Sequence, residues 1–213
     1  VEASKRLLHE KFNIAYPITP SLKNLLEQTL TDRRWDMTYL GMQILIEGLA
    51  LAAFQRIRDS AKNNLAAAVN AYVMQDEARH VAFGRLSLRD YYPQLSDKER
   101  DEREEFVVEA LYFMRDRFNQ AEVWMRSGLP VDKLMELAAN SDAMKRFRGR
   151  LFSRIVPTVK DIGLMGPRVK KAFEEMGVME YTQLDAKAML ENDQKVADDF
   201  DARRFVKESV AAE

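Results

Sequence analysis

From residue 33 to residue 91 the chain keeps helical periodicity with one interruption, the polar stretch "RDSAKNN" at 58–64. A connection that short makes the two flanking helices antiparallel neighbours. It also sets their relative heights. Glu47 lies 15 residues before residue 62 and Glu77 lies 15 residues after it. At about 1.5 Å of rise per residue, both carboxylates come to the same level in the helix pair.

The rest of the chain has the same character. Eight glycines and six prolines fall between long periodic segments, and no run alternates as a strand does. The pattern predicts an all-α fold with helices over 1–12, 22–30, 33–59, 63–91, 97–127, 131–139, 142–162, 167–176 and 184–210. Ser21 is expected to cap the second helix, and Ser96 with Glu99 forms a capping box. Gly128 followed by Pro130 closes one helix, and Pro167 suits the first turn of another. A bundle over 1–127 and a helical C-terminal extension over 128–213, packed on that bundle, are the expected domains.

Composition narrows the chemistry. A formal net charge of −1 gives no electrostatic case for nucleic acid or an anionic membrane. The longest apolar segment, "YLGMQILIEGLALAAF", is interrupted by Gln43 and Glu47, so no membrane span is expected. Cysteine is absent, which excludes disulfides and thiolates and restricts a metal site to Asp, Glu and His. With no signal-peptide pattern at the start, a cytoplasmic protein is expected.

Within "VMQDEARHVAFG" (73–84), Glu77 and His80 stand three residues apart, about 60° around a helix, where both can reach one ion. Glu47 meets them from the facing helix. Its face carries Leu40, Ile44, Leu51 and Phe54, with Gln43 as the one polar neighbour, and an ionised carboxylate there needs a partner. No Lys or Arg lies within a turn; Arg56 is nine residues on. One imidazole and two carboxylates suit iron or manganese. Asp76 is a candidate to orient a ligand histidine, His80 among them, or else is a solvated acid. Gln43 is a candidate pocket residue, Arg79 is expected to point outward toward Glu10 or Asp90, and Gly84 either opens a cavity or lets two helices approach.

These residues carry a resemblance. "YLGMQILIEGLALAAF" followed by "QDEARHVAFG" resembles the second half of a ferritin-like di-iron carboxylate protein, the group that includes ribonucleotide reductase small subunits, acyl-carrier-protein desaturases and p-aminobenzoate N-oxygenase-like enzymes. The resemblance covers roughly residues 1–125. It implies that Glu47 is a terminal or bridging carboxylate, that Glu77 bridges, that His80 binds one iron, and that Asp76 hydrogen-bonds a ligand histidine. It implies an O₂-activating oxidase or oxygenase with a small-molecule substrate and an external electron donor, both unidentified, and leaves a homodimer open. An iron-handling ferroxidase and a metal-free helical scaffold are the alternatives.

Two departures qualify the resemblance. The N-oxygenase branch has a further histidine one turn before the second E-x-x-H glutamate; Val73 stands there, which argues against that branch. The group also needs an earlier Glu and an earlier E-x-x-H, and neither is present. "VEASKRLLHEKF" (1–12) can be laid on "VAFGRLSLRDYY" (81–92), and that register puts the missing histidine just before Val1. The expectation is a fragment, or a site completed by another chain, with half of the metal ligands here.

Overall fold

In the computed structural model, residues 2–15, 17–118, 121–198 and 200 are described, and among them every regular element is helical. Helix α1 (Glu2–Arg6) runs on into a π-helical turn (Leu7–Lys11), and α2 (Pro20–Thr31) follows a short link. Next comes one continuous helix, Trp35–Ser60, in three parts: α3 (Trp35–Tyr39), a π-helical segment (Leu40–Ile46) and α4 (Glu47–Ser60). Its partner is α5 (Asn64–Tyr91). The C-terminal side adds α6 (Asp97–Arg117), α7 (Ala121–Ser127), α8 (Val131–Asn140), α9 (Asp142–Leu151), α10 (Ile155–Asp161), α11 (Pro167–Glu175) and α12 (Ala186–Asp193).

Local chemistry explains several boundaries. The Asn63 side chain accepts a hydrogen bond from the Ala66 N–H at 2.8 Å and so starts α5. Ser96 and Glu99 close a reciprocal capping box on α6. Gly128 sits at φ +71°, a conformation costly for a residue with a Cβ, in the turn between α7 and α8. Pro167 opens α11. Helix α2 begins at Pro20 with Thr19 at the N-cap position, so Ser21, expected at the cap, stands inside the first turn and its side chain lies outside what is described.

The helix expected over 142–162 is broken at Phe152–Arg154, and Pro157 gives the reason. Proline offers no N–H to the preceding turn, and its ring crowds the carbonyl four residues back. The chain turns there and Pro157 lies in the first turn of α10. The helix expected over 97–127 is likewise two, α6 and α7. Of the one expected over 184–210, α12 accounts for the start, a short 3₁₀ turn (Met179–Gln183) precedes it, and residues 199 and 201–213 lie outside the described residues.

The main core mixes both sides of residue 128. Leu40, Ile44 and Leu45 of the π-helical segment pack with Leu88 of α5, Val107 and Leu111 of α6, and Ile155, Val156 and Val159 of α10. Leu40, Ile44, Leu45, Leu88 and Ile155 are fully shielded, each contributing about 1.5–3 kcal/mol. A second cluster holds Leu51, Met74, Ala78, Val81 and Leu190. Ion pairs tie distant elements: buried Arg103 (α6) grips buried Asp36 (α3) through two hydrogen bonds of 2.9 and 3.3 Å, Arg154 holds the buried Asp193, and the buried Arg85 (α5) reaches the exposed Asp161 at 2.7 Å. Trp35–Ser60 is long and apolar enough to cross a membrane by length and composition, but half of its apolar window is buried inside the protein, as a core helix requires.

Candidate metal centre

Glu47 is the first residue after the π-helical segment, and its carboxylate faces α5 at the level of Glu77 and His80. The Nδ1 atom of His80 lies 3.2 Å from Glu77 Oε2 and 3.8 Å from Glu47 Oε1. One ligand atom from each of the three residues lies within 4.8 Å of the others. Among the described residues no other group of three such side chains comes so close.

The floor beneath these groups is apolar: Leu51, one turn on from Glu47, and Met74 and Ala78, flanking Glu77, are fully buried. The Glu47 side chain is 18% exposed, Glu77 25% and His80 59%, so the site is dry at its base and open on the histidine side. Burial raises the Glu47 carboxyl above its ordinary value; the negative charge of Glu77 pushes the same way, and His80 opposes both. Glu47 Oε2 is buried with no hydrogen-bond partner, and so is Gln43 Oε1 one turn away. A buried, unpartnered carboxylate oxygen beside a second carboxylate and an imidazole is the environment a cation relieves. The donor set, two oxygens and one nitrogen from separate side chains, fits iron.

Other expected residues take different positions. Asp76 is mostly exposed and accepts a hydrogen bond from Arg79 at 2.7 Å, and among the described residues no hydrogen bond joins it to His80. Arg79 does point outward, but to Asp76 and not to Glu10 or Asp90. Gly84 is a point of close approach: a Cβ there would meet Gln43 Cβ at 2.6 Å. Tyr39 stacks edge to face on Trp35 and packs on Phe83, which makes it a packing residue. The π-helical turn that leads into Glu47 was missed, because a period of 3.6 fits "LGMQILI" as well as a wider turn does.

A family model, P-aminobenzoate N-oxygenase AurF, matches residues 52–163, more than half of the chain. The chain belongs to this family. The AurF family is di-iron and ferritin-like, in agreement with the all-helical bundle. The matched span contains Glu77 and His80, and Glu47 lies five residues before it. Membership overturns the argument from Val73 against the N-oxygenase branch: a single position does not outweigh a match that runs from α4 to α10. The match supports iron and gives no support to manganese. No curated protein and no solved structure gave a match.

Proposed function

We propose that this member of the AurF family supplies half of a di-iron centre through Glu47, Glu77 and His80, in an O₂-activating oxygenase. The observation that carries the reading is the stranded Glu47 oxygen, buried within reach of a second carboxylate and an imidazole in a chain from a di-iron family. Bound there, iron supplies the oxygen chemistry, and the protein supplies position and shelter. Glu47 binds from the buried side, where Leu51, Met74 and Ala78 keep water from its base. Glu77 and His80 close from α5, one turn apart. The Gln43 stem packs where α5 comes closest, at Gly84, and its amide oxygen is buried without a partner one turn before Glu47.

The remaining ligands belong, in this reading, to another segment or chain laid over the open side. Phe83 and Leu86, exposed on α5 beyond His80, offer apolar surface for that cover. The family description makes amine N-oxygenation the first reaction to test, with p-aminobenzoate as the probe. After anaerobic loading with ferrous iron, Glu77→Ala and His80→Ala are each expected to lose stoichiometric iron by elemental analysis. Wild-type iron content in both variants removes the proposal.

A further inference from the structure

A second site stands apart from the carboxylates. A cleft of about 440 Å³ opens between the C-terminal half of α4 and α9, within the size range of small-ligand sites. Arg56 lines one wall, and Arg146 and Arg150, one turn apart on α9, line the other. Phe147 and Leu151 give it an apolar floor.

The charge in this cleft is unbalanced. Arg154 is neutralised by Asp193, which takes two hydrogen bonds from it at 2.9 and 3.0 Å. The cleft's one carboxylate, Asp59, is engaged by Arg58 at 2.9 Å. The guanidinium groups of Arg56, Arg146 and Arg150 make no ion pair or hydrogen bond among the described residues. Arg146 and Arg150 stand exposed one turn apart on α9, where like charges repel each other weakly. Guanidinium forks match the oxygen geometry of phosphate, and three of them match the charge of a diphosphate.

We propose that this cleft binds a phosphate-bearing small molecule, its anionic group held by Arg56, Arg146 and Arg150 and its body resting on Phe147 and Leu151. Calorimetric titration of the full chain with inorganic pyrophosphate, and separately with ADP, tests it. Pyrophosphate reads the anion site alone, and ADP adds an organic body. Wild type is expected to bind, and more weakly at high salt. Arg56→Gln is expected to weaken binding about tenfold, and Arg146→Gln/Arg150→Gln about a hundredfold, while Arg168→Gln, outside the cleft, leaves it unchanged. The wild-type far-UV spectrum is expected in every variant, because the double change removes a repulsion. Silence with both probes at low salt, or equal binding by wild type and both cleft variants, overturns the proposal. Binding is read without turnover, so the result is independent of iron.

Discussion

Glu47 concentrates the electrostatic tension of the candidate centre. Its carboxyl is raised by burial and by Glu77, so the folded chain holds that proton longer than the unfolded chain does. Metal-free protein therefore loses stability as pH rises from the ordinary carboxylate value through the raised one. Below that window both states are protonated and Glu47 contributes nothing. Glu47→Gln is expected to stabilise the metal-free protein by about 1 kcal/mol at neutral pH and not at all in acid, read as melting temperature in chelator. With iron loaded the slope reverses, because a metal takes the ionised carboxylate. A neutral-pH melting point unchanged by the substitution would mean that the buried oxygen is not strained.

The helix pair depends on close approach as much as on periodicity. Gly84 lets α5 lie against Gln43, and a methyl group would drive into Gln43 Cβ at 2.6 Å. Gly84→Ala should cost about 1–3 kcal/mol in urea unfolding and lower iron affinity with it, by shifting α5 against Glu47. Equal stability would show that the two helices part freely at this level. The boundaries readable beforehand were those with local chemistry: the Ser96–Glu99 box, Gly128 and Pro167. The break before α10 was readable too, since Pro157 was in plain view inside an expected helix. The π-helical segment was not, because nothing in "LGMQILI" distinguishes a 3.6-residue turn from a wider one.

Across the molecule, the elements are joined by pairs far apart in the chain. Arg103 and Asp36, 67 residues apart, are both almost fully buried, at 4% and 2% side-chain exposure. Asp36→Asn removes the buried counter-charge of Arg103, leaving it the half-exposed Glu102 at 3.4 Å, and should cost about 3 kcal/mol, measured by urea denaturation. A change under about 1 kcal/mol would mean that water reaches Arg103. Helical period and a short connection brought Glu47, Glu77 and His80 together from residue order alone, because rise per residue and turn length are local quantities. Where Asp76 points, how Pro157 turns the chain back into the core, and which arginines remain unpaired around the α4–α9 cleft were settled by packing. Those outcomes depend on which surfaces meet across dozens of residues, and no local pattern carries that information.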